Sequence, residues 1–316
     1  MTAVTTLSSS PALAPLLARG ALRSPFKRPQ PGADFTGGRL VLPGLRVDLA
    51  RLAAYERVCG FPTGEDAMPL TYPHVLGFPL AMSIMSGRDF PLPLLGLVHT
   101  SIDITRYRPL AAAGTYELGV YVDRLAPHRR GTEAFVVTQL READAVVWES
   151  TSTYLARHRT EREPSAPSTS SAPSTSSAPS TSSAPSASSA PSASSAPSEP
   201  GAAAPLPLLD EWRLAADVGR RYGAASGDRN PIHLHPLTAR LFGFPRAIAH
   251  GMWTVARCLA AHGTPPAVRT RAEFRAPVLL PGTVAFASDG VRFELRGTGE
   301  AAERLHVSGR VDRLMF

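Results

Sequence analysis

Asp228 and His233 lie five residues apart in the run Tyr222-Gly-Ala-Ala-Ser-Gly-Asp-Arg-Asn-Pro-Ile-His233. Pro231 has no backbone N–H and restricts Asn230 to extended conformations, so the run cannot be the middle of a helix. Gly227, just before the acid, suits a tight turn. A stiff loop of this kind can aim a carboxylate and an imidazole at one small volume. Such a pair suits proton transfer at neutral pH, because a buried acid and a histidine can divide the acid and base roles. The same residues are also ordinary turn formers, so more than this pair must carry a catalytic reading.

The run resembles the signature of the (R)-specific enoyl-thioester hydratases, the hydratase 2 or MaoC-like dehydratase family. That signature has an aromatic residue, a spacer, then small-Gly-Asp-x-Asn-Pro-aliphatic-His, with a small residue six positions later. Tyr222, Ser226, Gly227, Asp228, Asn230, Pro231, Ile232, His233 and Ala239 match it. Ala225 departs, standing where the family usually has a larger aliphatic residue or glycine. The resemblance implies a hotdog fold and interconversion of 3-hydroxyacyl and trans-2-enoyl thioesters. It implies Asp228 and His233 as the catalytic pair and the Gly251 N–H as the contact to the thioester oxygen. Ser226, Asn230 and His250 are then expected to support the loop or the substrate. His233 is expected to act as base in dehydration, with Asp228 holding the water or hydroxyl. His235 is read as structural or solvent-facing.

Gly251 suits its role for a reason of its own. The Ala249-His250-Gly251-Met252 run sits where a helix should begin, and free N–H groups at a helix start favour negative charge. A glycine there also lets a carbonyl approach the backbone closely.

Composition narrows the partners. The chain has 316 residues, a length that suits two domains, and its formal net charge is +7. Basic residues are scattered and no nucleic-acid recognition module is visible, so an anionic small partner, acyl-CoA or an acyl carrier protein, is the better match. Arg246, Arg269, Arg271 and Arg275 are candidates for its phosphates, although each alone reads as surface charge. Cys59 and Cys258 are the two cysteines. They give neither a disulfide framework nor metal-ligand spacing, and both fall in expected helices as buried thiols. No metal and no cofactor is expected. No apolar run reaches the roughly 18 residues of a membrane span, and no secretory cleavage pattern is present, so a cytoplasmic protein is expected.

The elements that must position these residues follow in order. Residues 1–40 read as a basic, flexible tail with one short helix near Leu13 to Arg23. Asp48 is a plausible N-cap for a helix to Cys59, closed by Gly60. Residues 72–79 lead into a helical run from Leu80 to Met85. Segments 96–108, 114–125, 132–142 and 144–157 alternate apolar and polar residues as antiparallel strands do. Residues 164–200 repeat Ser-Ala-Pro-Ser-(Thr/Ala)-Ser, which cannot build a core, so 161–205 is expected to be a linker. The second unit opens with Leu209-Asp210 and a helix through Arg221, the signature loop follows, a second helix runs to about His262, and strands follow at 267–276, 283–296 and 303–313.

The two halves read as repeats of one another. Arg51-Leu-Ala-Ala54 recurs as Arg213-Leu-Ala-Ala216, Gly77-Phe-Pro79 as Gly243-Phe-Pro245, and Gly114-Thr115 as Gly282-Thr283. On that alignment Ile84 and Met85 correspond to His250 and Gly251. The expected fold is therefore α+β: a double hotdog, each repeat a long helix wrapped by a curved antiparallel sheet. Residues 41–160 form the degenerate repeat, which keeps Glu65 and Asp66 but no Asn-Pro-x-His, and shapes an acyl pocket. Residues 206–316 form the catalytic repeat. The chain would be a pseudo-dimer in itself, with a homodimer possible. Two other functions fit the scaffold: a hotdog thioesterase, which the Asp-Asn-Pro-His loop argues against, and a non-catalytic subunit binding acyl chains or carrier protein.

Overall fold

The computed structural model describes residues 3–29, 35, 37–158 and 205–315. The expected Ser/Ala/Pro linker lies, all but Pro205, outside them. On either side of it the chain runs through the same series of elements twice. The N-terminal repeat has β2 (Arg39–Arg46), α2 (Leu49–Cys59), α3 (Tyr72–Met85), β3 (Leu97–Arg106), β4 (Thr115–His128), β5 (Gly131–Glu142) and β6 (Ala145–Arg157). The C-terminal repeat has β7 (Leu208–Leu214), α4 (Val218–Ser226), the short α5 (Pro231–Leu234) and α6 (Pro236–Leu241), and α7 (Gly251–His262). Strands β8 (Val268–Phe274), β9 (Gly282–Ser288), β10 (Arg292–Gly297) and β11 (Leu305–Arg313) complete it.

Among the described residues eleven strands, with β1 (Val4–Thr6) at one edge, join one sheet in the order β1-β2-β4-β5-β6-β3-β8-β11-β10-β9-β7. Counted outward from the centre, each repeat has the same strand order. The repeats meet where β3 pairs antiparallel with β8, from Ser101 opposite Glu273 to Arg106 opposite Val268. That edge-to-edge pairing of two sheets, each carrying a buried helix, is a double hotdog. Helix α7 presents Met252, Trp253, Val255, Ala256, Cys258 and Leu259 to the core. Each of the larger side chains contributes on the order of 1.5–3 kcal/mol through burial. Trp253 also ties the repeats together, its Nε1–H donating to Val58 O of α2 at 2.8 Å.

Four sequence readings need correction. The first forty residues are not simply a tail. β1 pairs parallel with β2, and α1 (Leu13–Arg23) buries Leu16 and Gly20, with Arg19 donating to Ser83 O and Ser86 Oγ near the end of α3. Residues 208–214 form an edge strand, not the start of a helix: Trp212 and Leu214 alternate inward as a strand requires. Segment 283–296 is a hairpin, turned at Asp289-Gly290, where Gly290 has φ +86 and Asp289 Oδ1 accepts from the N–H groups of Val291 and Arg292. Helix α3 begins at Tyr72, eight residues before the expected run, with Pro73 in its first turn and Pro79 inside it.

The repeat is real, but two of its three sequence anchors fall on elements that do not correspond. Arg51–Ala54 lies in α2, whereas Arg213–Ala216 spans the end of β7 and the turn beyond it. Gly77–Pro79 is inside α3, whereas Gly243–Pro245 precedes α7. Only Gly114-Thr115 and Gly282-Thr283 open matching strands, β4 and β9. Helix start matched to helix start, the counterpart of His250-Gly251 is Thr71-Tyr72, not Ile84-Met85.

Candidate active site

Helix α4 ends at Ser226, and Gly227 closes it in the left-handed region at φ +86. That reversal throws Asp228 out of the helix axis. The next bonds are local. Ser226 Oγ accepts from the Asp228 N–H at 3.2 Å, and Asp228 Oδ1 accepts from the Asn230 N–H at 3.2 Å. Asn230 caps α5, its Oδ1 facing the Ile232 N–H. One turn of α5 then delivers His233. The loop lies directly on α4: a Cβ on Gly219 would sit 2.0 Å from His233 O, and one on Gly223 2.8 Å from Asp228 O. The two glycines, four residues apart on one helix face, let the loop backbone close against that helix.

The N-terminal repeat clamps the same loop. Arg51 of α2 donates through Nε to Ala225 O at 2.8 Å and through Nη2 to Ser226 O at 2.6 Å. These are carbonyls at the C-terminal end of α4, where cations are favoured. Arg51 also explains Gly227 further, since a Cβ there would meet its Nη2 at 2.8 Å and Leu13 Cδ1 of α1 at 2.8 Å.

A second segment supplies His250 and Gly251. Residues 247–249 pair with the crossover after β8: Ala249 N–H donates to Val278 O and Leu280 N–H to Ala247 O. This fixes the residues entering α7. Gly251 opens the helix, and its N-cap His250 makes no side-chain cap bond. The first N–H groups of α7 therefore have no partner within the helix. A Cβ on Gly251 would meet Phe274 Cε1 at 2.9 Å, so glycine is needed there for packing as well as for access.

The imidazoles define the electrostatics. His233 Nδ1 is 2.8 Å from Ile248 O. A carbonyl can only accept, so Nδ1 carries the proton and Nε2 presents a lone pair. His250 Nε2 likewise donates to Asp228 O at 2.9 Å. The two rings stack with centroids 3.7 Å apart. Burial, first of all, lowers the pKa of both, His250 far below the usual histidine range. Both are neutral at neutral pH, so the 3.8 Å approach of His250 Nε2 to Asp228 Oδ2 is not an ion pair. Asp228 keeps a quarter of its side-chain surface open. Protein encloses the rest, and that enclosure raises its pKa, partly offset by His233 and by the Asn230 N–H.

The Asp228 carboxylate and a nitrogen from each of His233 and His250 lie within 4.8 Å of one another. This trio is nonetheless a poor metal site. A ligating imidazole holds a metal in its ring plane at about 2.0–2.1 Å, and near-parallel rings 3.7 Å apart do not both contain such a point.

All six sequence-predicted residues thus fall in one neighbourhood. His235 does not, being the exposed N-cap of α6, where Nδ1 accepts from the Leu237 N–H. The four arginines considered for phosphates are engaged at the surface. Arg246 donates to Pro281 O, while Arg269 faces Asp103 and Arg271 and Arg275 face Glu273. Sequence reading missed Arg51, Gly219 and Gly223. The Gly-x-x-x-Gly spacing on α4 was the legible signal for two of these. Arg51 carries no local signal, since it acts across the repeat interface.

Residues 199–303 match the family described as MaoC like domain. The chain is 39% identical over 243 residues to 3-hydroxyacyl-thioester dehydratase X of Mycobacterium tuberculosis, covering 76% of this chain and 75% of that protein. It superposes on a crystal structure of HtdX from the same organism with a TM-score of 0.67 and 32% identity, over 87% of this chain and 100% of that one. A MaoC-like dehydratase from Phytophthora capsici shares the fold at 16% identity, with a TM-score of 0.62 over 90% of this chain and 95% of that one. Among the described residues no helix is long and apolar enough to cross a membrane. The likeness to the Mycobacterium tuberculosis dehydratase spans about three quarters of each chain at 39% identity, and on that ground this chain belongs to the MaoC-like dehydratase family.

Proposed function

We propose that the chain is an (R)-specific 3-hydroxyacyl-thioester dehydratase, and in reverse a trans-2-enoyl-thioester hydratase, acting on acyl-CoA or acyl carrier protein substrates. The observation that carries this reading is the tautomer of His233. Its Nδ1–H is committed to Ile248 O, which leaves Nε2 bare on a ring that clusters with the Asp228 carboxylate.

In dehydration His233 Nε2 takes the proton from C2. The C2–C3 double bond forms as the C3–O bond breaks, and Asp228 delivers a proton to the departing hydroxyl, which leaves as water. An enclosed carboxyl with a raised pKa is suited to carry that proton. The charge that grows on the thioester oxygen is met by the Gly251 N–H and the N-terminal dipole of α7. The imidazolium and carboxylate left behind return to their starting state by proton transfer through water. His250 and Asn230 hold the Asp228 loop in place and do not exchange protons with substrate. Residues 206–316 carry the chemistry, and 41–160 complete the pocket around the acyl group. The reading places the protein in the cytoplasm, where such thioesters circulate, with a homodimer as a possible further assembly.

The test is hydration of short- and long-chain trans-2-enoyl-CoA by the purified protein, followed as loss of the conjugated enoyl absorbance. The reading requires the (R)-3-hydroxyacyl product. Release of free thiol without hydration would make the protein a thioesterase instead.

A further inference from the structure

The N-terminal repeat has lost the Asp-Asn-Pro-His loop, yet it places buried polar groups against the C-terminal site. They lie in and beside the first turn of α3. Tyr72 packs on Tyr55 at 5.0 Å, Tyr55 on Tyr222 at 5.9 Å, and Tyr222 on His250 at 4.7 Å. His74, one turn face away, stacks on His99 of β3 at 5.9 Å, His99 packs on Phe274 at 4.7 Å, and Phe274 is the ring against Gly251. One turn of α3 is therefore linked, through two intermediate rings on each side, to both ends of the site: the stacked imidazoles and the helix start where the thioester oxygen would sit.

Within this bracket His74 is more than nine-tenths buried, and its Nδ1 has no hydrogen-bond partner among the described residues. His99 Nε2 is likewise buried and unpartnered. Leaving such nitrogens unsatisfied costs on the order of 1–3 kcal/mol each. A native core rarely tolerates two of them side by side unless water or a ligand completes them. The charges of His74 and Asp228 would bias one another, in keeping with the ring contacts that lead from His74 through His99 and Phe274 to Gly251. Burial holds the pKa of His74 down at about 4. It is therefore a neutral hydrogen-bonding group near neutral pH and not an acid.

We infer that His74 of the N-terminal repeat is a further substrate-contacting residue, which hydrogen-bonds the oxygen that enters or leaves at C3 and holds it against Asp228. The inference rests on the reaction proposed above. It makes the active site a product of both repeats, with proton transfer from the C-terminal one and placement of the oxygen from the N-terminal one.

The test is a kinetic split across chain lengths. His74→Leu removes the nitrogens at similar volume, His74→Met is a second apolar variant should Leu fold poorly, and His74→Asn puts an amide where Nδ1 stood. All are assayed with a four-carbon and a long-chain trans-2-enoyl-CoA beside the wild type. The expected result is a kcat at least tenfold lower in the apolar variants, by the same factor for both substrates, with KM within about threefold and much of the rate regained by Asn. A residue that merely lines the acyl pocket would instead raise KM for the long substrate and leave kcat on the four-carbon one unchanged. That outcome, or apolar variants within twofold of wild type, overturns the inference while the dehydratase reading stands. A wild-type protein that hydrates no enoyl thioester on either carrier overturns both.

Discussion

Arg51 offers the sharpest test of how the catalytic loop is held, because its two bonds cross from one repeat to the other. Arg51→Met keeps the aliphatic stem and removes the donors to Ala225 O and Ser226 O, at 2.8 and 2.6 Å. Hydrogen bonds to a charged group contribute roughly 1.5–3 kcal/mol each when well enclosed. Arg51 is an exposed residue, so solvent screening reduces the pair to about 1.5 kcal/mol together. That corresponds to about a tenfold change in an equilibrium. The change should appear as local opening of the loop, since the fold is held elsewhere by the β3–β8 seam and the buried face of α7. The readout is amide hydrogen exchange at Gly227, whose N–H donates to Gly223 O at 3.0 Å, and at His233, whose N–H donates to Asn230 O at 3.0 Å. Both should exchange about tenfold faster while amides of β3 and β8 are unaffected, with kcat lowered several-fold as the carboxylate loses its fixed placement. Unchanged exchange at these two amides would refute the clamp, and so would a uniform loss of protection across the sheet.

Three further outcomes are expected. Asp228→Asn and His233→Ala should each lower kcat by roughly 10²–10⁴ with circular dichroism unchanged; turnover within tenfold of wild type in either would remove that residue from the proton transfers. Gly251→Ala should lower kcat by about 10–100-fold, because the new methyl meets Phe274 and crowds the N–H meant for the thioester oxygen; an undiminished kcat would move the oxygen's contact elsewhere. Thermal stability should fall steadily on acidification between about pH 6.5 and 4. His74 has a folded pKa of about 4 against an ordinary 6.5, so the unfolded state binds its proton first, and stability present above pH 6.5 is lost as the pH falls to 4. The loss is about 3 kcal/mol at 1.36 kcal/mol per pKa unit. His233, His250 and His99 have lowered pKa values too and act in the same direction, whereas Asp228, with a raised pKa, acts in the opposite one. In His74→Leu the slope over this window should flatten, and an unaltered pH dependence would argue that His74 is not buried as described.

The clustering of the candidate site was legible in the sequence because its parts are local. Asp228, Asn230 and His233 sit within six residues, Pro231 and Gly227 declare the loop, and His250-Gly251 announces a helix start. Strands β3 to β6 were equally legible, since each alternates cleanly and ends at a turn. What failed was what long-range packing decides. β7 read as helix because Leu208–Leu214 is an edge strand whose few inward residues give little periodicity. The hairpin at Asp289-Gly290 was passed over although its residues are strong turn formers. Pro73 and Pro79 hid the first half of α3. A buried helix can accommodate an interior proline when tertiary packing outweighs the lost bond, and ten of the fourteen residues of α3 are buried. The repeat was inferred correctly from partly wrong anchors, since short matches such as Arg-Leu-Ala-Ala recur by chance while strand order does not.

The division of labour between the repeats follows from the seam. Pairing β3 with β8 puts the N-terminal helices beside the C-terminal loop, so a repeat that no longer carries the Asp-His pair still faces it. Loss of the signature loop removes the need to keep residues 61–71 able to do chemistry. It does not free α2 and α3, because Arg51 holds the carbonyls ahead of Asp228 and Tyr55 backs Tyr222 behind His250. Truncating the N-terminal repeat would therefore leave more than a bare sheet edge at β8. It would release the C-terminal end of α4, expose Tyr222, and let water reach the stacked imidazoles whose neutrality depends on burial. On this reasoning the C-terminal repeat is a complete sequence motif but an incomplete active site.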